Sequence, residues 1–315
     1  MSKNTGFSIK SFAALVVTVS VLGWGCCAAP VASEPELAVK LQAAPLAAGE
    51  VAPTNQVEAG PICQISPIGP TSPTNAMSLS AEADALLAAG KKDKARDKFL
   101  AALEAKPAAP SLGQIEEKLG ALNVELIRLP WPMAEKQEVT VQEGDSIKAI
   151  ARKYGSTVDL IVKGNELKRP DVIRPGQRLR VFAGKMEIRV GKTRHDLLLT
   201  AGGRFFKRYG VGTGRYEKTP IGTFVVSERI PEPPWWREDG KIVPFGDKEN
   251  ILGTRWMAIK ATGDTKPIKG YGIHGTWDDA SIGKSESAGC IRLKNSDVEE
   301  LFELVPIGTP VVIEE

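Results

Sequence analysis

Ile273-His274-Gly275-Thr276 and Ser287-Ala288-Gly289-Cys290-Ile291-Arg292 form one glycine-punctuated block in the C-terminal part of this 315-residue chain. The chain has only two histidines and four cysteines, so His274 and Cys290 in a single block are a candidate catalytic pair. A thiol attacks as its thiolate, and a neighbouring imidazole is the usual base that takes its proton. The adjacent glycines lack a Cβ, which lets a substrate approach the backbone closely. The block predicts a Cys–His acyl-transfer enzyme.

Short apolar runs separated by glycine and proline turns surround this block. Such spacing predicts an all-β, sandwich-like domain over residues 185–315. The predicted strands are Met186–Val190, Asp196–Thr200, Arg204–Val211, Gly222–Ile230, Trp256–Ala261 and Thr309–Ile313. Ser296-Asp297-Val298-Glu299 has the form of a capping box and predicts one short helix, Ser296–Leu304.

Five motifs in this domain follow one another in a family-specific order. They are Thr219–Phe224, Gly253–Trp256, Tyr271–Thr276, Ser281–Gly283 and Ser287–Leu293. Together they resemble the catalytic domain of the L,D-transpeptidase (YkuD) family. Ala288 stands where some members carry a second His, which leaves His274 as the only nearby base.

The resemblance implies a mechanism for these residues. Cys290 would attack the carbonyl of the third residue, a diamino acid, of a donor stem tetrapeptide and release the terminal D-alanine. His274 would be the base, oriented by the backbone carbonyl of Gly275. Backbone N–H groups around Gly289 and Cys290 would form the oxyanion hole.

Three further side chains near the pair have two interpretations each. Arg292 either binds a substrate carboxylate or forms a structural ion pair. Ser287 binds the substrate or caps its own turn, and Tyr271 has the same two interpretations. His195 lies away from every motif, and we interpret it as a surface or packing residue.

The segment between Pro231 and Asn250 is too long and irregular for a hairpin turn. Loops of this size in compact domains are often lids. We predict that Trp235 and Trp236 cover the donor peptide near Cys290. The alternative is plain aromatic packing onto the domain.

Residues 138–182 predict a small βααβ unit. Asp145 or Ser146 should cap its first helix, Gly155 should end that helix, and Thr157 should cap the second. The motif pattern resembles the LysM module, which implies binding to N-acetylglucosamine-containing glycans. The glycan-binding residues carried over by motif are Gly144, Asp145, Ser146, Ile147, Gly164, Asn165, Glu166 and Leu167. The alternative is a degenerate module that serves as a spacer.

The composition of the N-terminal third predicts that the protein is exported and that a flexible linker precedes its folded part. Residues 1–29 are predicted to be a signal peptide or membrane anchor, because two lysines precede an apolar run from Phe12 to Trp24. Cys26 and Cys27 follow that run in a poor match to a lipid-attachment motif. Residues 30–77, including Cys63, have a Pro/Ala-rich linker composition. Residues 78–129 predict helices that resemble one tetratricopeptide-type pair followed by a third helix.

The charge and the residue composition argue against two classes of function, nucleic-acid binding and zinc binding. The net charge of +3 is mild, and nucleic-acid binding normally needs a clustered basic face. Two histidines and no cysteine cluster argue against a zinc site, and no cofactor or metal is predicted. The sequence therefore favours an envelope-localised peptidoglycan L,D-transpeptidase. Its alternatives are an L,D-carboxypeptidase that uses water as acceptor, a general thiol protease, and a non-catalytic wall-binding scaffold. A wall-anchored protein is an alternative acceptor.

Overall fold

A computed structural model describes residues 73–169 and 172–315 of the chain. The predicted signal peptide or anchor, most of the predicted linker, and Cys26, Cys27 and Cys63 lie outside the described residues. Within them, no helix is both long and apolar enough to cross a lipid bilayer.

Three helices begin the described chain: α1 (Pro73–Ala88), α2 (Lys92–Glu104) and α3 (Ala109–Arg128). The first starts five residues earlier than predicted, inside the predicted linker, because Pro73 suits the first helical turn, where its missing N–H is not needed. Gly90, with φ +73°, makes the turn into α2. Buried Ile115, Leu119 and Leu126 recur at helical spacing along α3. The tetratricopeptide resemblance stays a prediction.

The next unit has the predicted βααβ order. It comprises β1 (Lys136–Thr140), α4 (Ile147–Tyr154), α5 (Val158–Gly164) and β2 (Arg178–Phe182), and its two strands pair antiparallel. Ser146 Oγ accepts from the Ala149 N–H and Thr157 Oγ1 from the Leu160 N–H, so both predicted caps are confirmed. Gly155 ends α4 in the left-handed conformation, as predicted.

The remaining strands build one eight-stranded mixed sheet in the order β13-β11-β10-β7-β14-β3-β4-β5. Two two-stranded sheets, β6–β12 and β8–β9, lie beside it. The strands are β3 (Met186–Gly191), β4 (Asp196–Ala201), β5 (Arg204–Gly210), β6 (Thr213–Gly214), β7 (Gly222–Pro231), β8 (Trp235–Trp236), β9 (Ile242–Val243), β10 (Arg255–Ala261), β11 (Gly272–His274), β12 (Ser285–Ser287), β13 (Ile291–Arg292) and β14 (Pro310–Glu314). All six predicted strands are present. They join a single hydrogen-bonded sheet, because β14 pairs with both β3 and β7 and so connects the two halves.

Helix α6 (Asn295–Leu304) begins one residue earlier than predicted. Lys294 is its N-cap, and no side chain caps it, so the capping-box prediction is wrong. The Asn295 side chain is instead used outside the helix, where its Oδ1 accepts from the Thr254 N–H at 3.0 Å.

One buried carboxylate connects the three parts of the described chain. Glu303, at the end of α6, accepts two hydrogen bonds from Arg128 of α3 and one from Lys163 of α5. Its backbone carbonyl also accepts from Thr157 Oγ1 at 2.6 Å. Burial favours the neutral acid, but the bonds from Arg128 and Lys163 outweigh it, so the pKa of Glu303 lies below its usual value. Breaking such a buried pair is costly, so this contact holds the βααβ unit and α3 against the large sheet.

Candidate active site

The strand register places the candidate catalytic residues on one face of the sheet. β11 and β13 run parallel, with Ile273 opposite Ile291 and His274 opposite Arg292. Both isoleucines are buried in the core. Side chains alternate between the two faces of a strand, so His274, Arg292 and the preceding Cys290 share the opposite face.

The backbone and a neighbouring aromatic ring fix His274. Its Nδ1 is 2.6 Å from the carbonyl oxygen of Gly275, the orienting partner that the sequence predicts. The Trp256 indole, directly opposite on β10, stacks on the imidazole with ring centroids 5.6 Å apart. Burial lowers the pKa of His274 to about 4, so the imidazole is neutral at pH 7. A neutral imidazole can accept a proton.

Cys290 is the one free cysteine among the residues that the structure describes. Its Sγ lies 3.5 Å from the carbonyl oxygen of Gly270. Burial raises the pKa of the thiol, although a hydrogen bond from the Gly272 backbone and the charge of Arg292 oppose this. The resting pair is therefore a thiol and a neutral imidazole, not a preformed thiolate and imidazolium.

The loop before Cys290 is held by its own hydrogen bonds. Ser287 Oγ donates to the Cys290 carbonyl at 2.7 Å and accepts from the Gly289 N–H at 3.0 Å. Ser287 thus caps the turn, the second of its two interpretations. Gly289 has φ +135°, and a Cβ there would lie 2.5 Å from the Tyr271 ring, so only glycine fits beneath Tyr271.

Three residues that contribute to the site were not among the predicted site residues. Trp256 stacks on His274, Asn295 holds Thr254 against Gly275, and Thr219 Oγ1 donates to the Gly289 carbonyl at 2.9 Å. Trp256 and Thr219 both occur in the quoted motifs, so their place in those motifs could have identified them as site residues. No sequence motif pointed to Asn295, because its partner Thr254 is 41 residues away in the chain.

An open cavity of about 640 Å³ adjoins the pair at Arg292. Its walls carry charges of both signs and are formed by Arg215, Tyr216, Asp278, Ser285, Glu286 and Arg292. Arg292 is half-buried, and no carboxylate of the described residues forms an ion pair with it. Its guanidinium is therefore available to an acidic group of a ligand, the first of its two interpretations.

Comparison with known proteins agrees with this arrangement. Residues 185–313 match the YkuD model, described as the L,D-transpeptidase catalytic domain, and residues 139–182 match the LysM domain model. The putative L,D-transpeptidase YqjB of Bacillus subtilis is 38% identical over 125 residues, which cover 39% of this chain and 68% of that protein. The chain belongs to the L,D-transpeptidase family.

Two further relatives extend the comparison. The putative L,D-transpeptidase YkuD of Bacillus licheniformis is 30% identical over 181 residues, which cover 55% of this chain and 96% of that protein. A crystal structure of an L,D-transpeptidase from Mycobacterium tuberculosis H37Rv is 17% identical with a TM-score of 0.35, covering 58% of this chain and 92% of that one. The family assignment rests on the sequence matches.

The segment predicted as a lid of the L,D-transpeptidase domain is an ordered hairpin. Trp235 and Trp236 of β8 pair with Val243 and Ile242 of β9. The buried Asn250 side chain donates to three carbonyls of this segment and holds it together. The side chain of Trp236 is 71% exposed.

A different aromatic residue of this segment meets the catalytic block. The Phe245 ring lies 6.4 Å from the ring of Trp277, three residues after His274. The segment therefore reaches the active-site side of the L,D-transpeptidase domain through Phe245. The lid role itself stays a prediction.

The LysM residues carried over as glycan-binding mostly have structural tasks. Ser146 caps α4, and Ile147 is buried in the module's core. Asn165 makes three hydrogen bonds, two donated to the Ile161 and Arg180 carbonyls and one accepted from the Arg180 N–H, at 2.7–2.8 Å. Gly164 is buried against α3.

The other four LysM positions divide between the core and the surface. Asp145 accepts from the Gln142 N–H, and Leu167 packs on the core of the module. Gly144 and Glu166 are exposed. Of these eight positions, Gly144, Ser146 and Glu166 are exposed, and Ser146 also caps α4.

Proposed function

We propose that the chain is a peptidoglycan L,D-transpeptidase in which Cys290 forms an acyl-enzyme with a donor stem tetrapeptide. The observation that carries this proposal is the shared face of β11 and β13. It presents a thiol, a neutral imidazole and an unpaired guanidinium, and the guanidinium lines an open cavity.

The first step takes a proton from the thiol as it attacks. His274 accepts the proton of Cys290 while Sγ adds to the carbonyl carbon of the third stem residue. The tetrahedral intermediate collapses, the C–N bond to the terminal D-alanine breaks, and His274 returns the proton to the leaving amine. A thioester at Cys290 remains.

The second step regenerates the enzyme. An amine of an acceptor stem peptide attacks the thioester, and His274 takes a proton from that amine as the new C–N bond forms. The C–S bond breaks, and the proton passes to the Cys290 sulfur. Because the pKa of His274 is about 4, the imidazole is neutral and ready as a base throughout the neutral range.

The oxyanion hole that we propose is centred on the backbone N–H of Cys290. The Gly289 N–H donates to Ser287 Oγ, so it stabilises the loop and is not free for the substrate. Ser287 acts here through the backbone, since it fixes the peptide units on both sides of the nucleophile. Preorganised donors of this kind stabilise the charge that develops on the carbonyl oxygen.

Charge complementarity supports a stem peptide as the ligand of the cavity. Arg215 and Arg292 suit its carboxylates, and Asp278 and Glu286 suit its amines. Tyr216 adds an exposed ring at the rim. A ligand that bears charges of both signs fits these walls better than a purely apolar or purely anionic one.

We also propose that the LysM module binds glycan strands and that the protein acts outside the cytoplasm. This placement follows from the substrate, since stem peptides and N-acetylglucosamine-containing glycans occur together in the cell wall. The predicted export segment agrees with it. Through Glu303 the module would deliver the catalytic domain to its substrate in a fixed orientation.

Mass spectrometry of a disaccharide-tetrapeptide incubated with the full chain tests the reaction. We expect a cross-linked dimer that has lost one D-alanine, and no product with a Cys290→Ala variant. A tripeptide monomer alone would change the reaction to carboxypeptidase. Unchanged substrate, with glycan binding retained, would favour the wall-binding scaffold.

A further inference from the structure

The turn between β3 and β4 (residues 191–195) contacts both walls of the cavity beside Cys290. Two of its side chains, Lys192 and His195, point to segments that line the cavity, although neither lies in a family motif. His195 has φ +50°, a conformation that non-glycine residues seldom adopt. A non-glycine residue in such a conformation persists only when its surroundings enforce it.

Lys192 holds the first wall. Its side chain is 7% exposed and its ammonium bonds the carboxylates of Glu217 and of Glu315, the latter at 2.9 Å. Tyr216 and Glu217 both have positive φ, +52° and +56°, so their loop is strained. Arg215 and Tyr216 of this loop line the cavity. The Lys192–Glu217 pair anchors the strained loop next to its cavity-lining residues.

His195 holds the second wall. Its Nε2 lies 3.0 Å from Ser285 Oγ, which is also 3.0 Å from Thr213 Oγ1. Ser285 lines the cavity and begins β12, whose last residue, Ser287, bonds the Cys290 carbonyl. The backbone of His195 is held in place, because the Val211 N–H donates to the His195 carbonyl at 2.9 Å.

We infer that Lys192 and His195 are positioning residues that set the spacing of the two cavity walls and so the affinity for the stem peptide. This inference rests on the proposed function, which supplies the ligand. It gives His195 a role other than that of a surface or packing residue. Since neither side chain touches the reacting atoms, loosening them should raise KM and leave kcat close to that of the wild type.

The two carboxylates on Lys192 provide a matched pair of variants. Glu217→Gln removes the partner on the cavity wall, whereas Glu315→Gln removes the partner at the end of β14. Both side chains are exposed, 78% and 61%, so neither change opens the core. We expect KM for D-alanine release to rise about tenfold in the first variant and to stay at the wild-type value in the second.

His195 has its own matched pair, His195→Leu and His195→Gln. Both replacements carry the same backbone strain, but only glutamine can keep a hydrogen bond to Ser285 Oγ. We expect the leucine variant to raise KM and the glutamine variant to restore most of the wild-type value. Equal KM values in the leucine variant and the wild type, or in Glu217→Gln and Glu315→Gln, would overturn the inference.

Amide hydrogen exchange gives a readout that needs no turnover. We expect faster exchange in residues 215–218 for Glu217→Gln and in residues 285–287 for His195→Leu, with Glu315→Gln unchanged in both segments. If the wild type releases no D-alanine, the proposed reaction fails, and the exchange rates still decide whether the turn positions the walls. Unchanged exchange in both segments would show that it does not.

Discussion

The catalytic face and the LysM module use their motif residues in opposite ways. His274 and Arg292 lie opposite each other on two parallel strands, Cys290 directly precedes the second strand, and Arg292 lines a cavity. In the LysM module, the side chains of Ser146 and Asn165 hydrogen-bond the backbone of their own segments and so hold them in place. Bond making requires a side-chain atom at the reacting centre, whereas a glycan can be bound by the backbone of a correctly shaped loop. A motif can therefore mark the chemistry in one domain and the architecture in the other.

The largest expected effect tests the catalytic side of this comparison. Cys290→Ala should reduce the release of D-alanine by about four orders of magnitude or more, because it removes the nucleophile. Intact-protein mass spectrometry should show an acyl adduct on the wild type and none on the variant. The melting temperature should stay near the wild-type value, which is the control for folding. Acylation that survived the substitution would remove Cys290 from its proposed role.

The next largest effect concerns buried His274 and is measured as a change in the free energy of unfolding with pH. The pKa of His274 is about 4 in the folded protein and ordinarily 6.5, so the unfolded chain binds a proton first as the pH falls. The contribution of neutral His274 to the free energy of unfolding is therefore fully present above pH 6.5. It is lost as the pH falls towards 4, which lowers that free energy by up to ~3 kcal/mol.

His274→Gln should lack this pH-dependent loss. Urea unfolding of both proteins at pH 7 and pH 4.5 measures the difference, and the titration of other groups cancels between them. The same pH dependence in the variant and the wild type would contradict a buried neutral imidazole.

A third prediction tests the LysM side. Asn165→Ala removes two hydrogen bonds to Arg180 of β2 and one to Ile161 of α5, and should destabilise the module by about 2 kcal/mol. Faster amide hydrogen exchange in α4 and α5 would report this loss of stability. We also expect weaker binding of the variant to insoluble peptidoglycan. Glu166→Ala, at an exposed neighbour, should weaken glycan binding with stability within about 0.5 kcal/mol of the wild type. The reverse pattern would make Asn165 a ligand-contacting residue after all.

The smallest expected effect concerns the hairpin over residues 232–250. Phe245→Ala removes the contact with Trp277 and should raise KM about threefold, in line with the strength of a single aromatic pair. The double change of Trp235 and Trp236 to Ala tests the lid as the sequence predicts it. If that double variant keeps its KM while Phe245→Ala changes it, the lid contact is through Phe245. Unchanged KM in both would reduce the hairpin to structural packing.

Most of the fold could be predicted where local pattern decides it. The six predicted strands, the caps at Ser146 and Thr157 and the turn at Gly155 all occur, because alternation and capping act within a few residues. The order of the strands in the sheet could not be predicted, because strand pairing joins distant segments such as β3 and β14. The capping-box prediction for α6 was wrong because the helix begins at Asn295 with Lys294 as its N-cap, which places Ser296 inside the helix.

The sequence by itself determined the chemistry that the site offers and the order of its domains. The Cys and His motifs, the glycine at position 289 and the LysM pattern are local, and their physical requirements can be read residue by residue. Tertiary structure alone decided that Trp256 stacks on His274, that Glu303 joins three parts of the chain, and that His195 contacts Ser285. These contacts connect residues between 18 and 175 positions apart. No local periodicity encodes such pairs, because they form only when separate elements pack against one another.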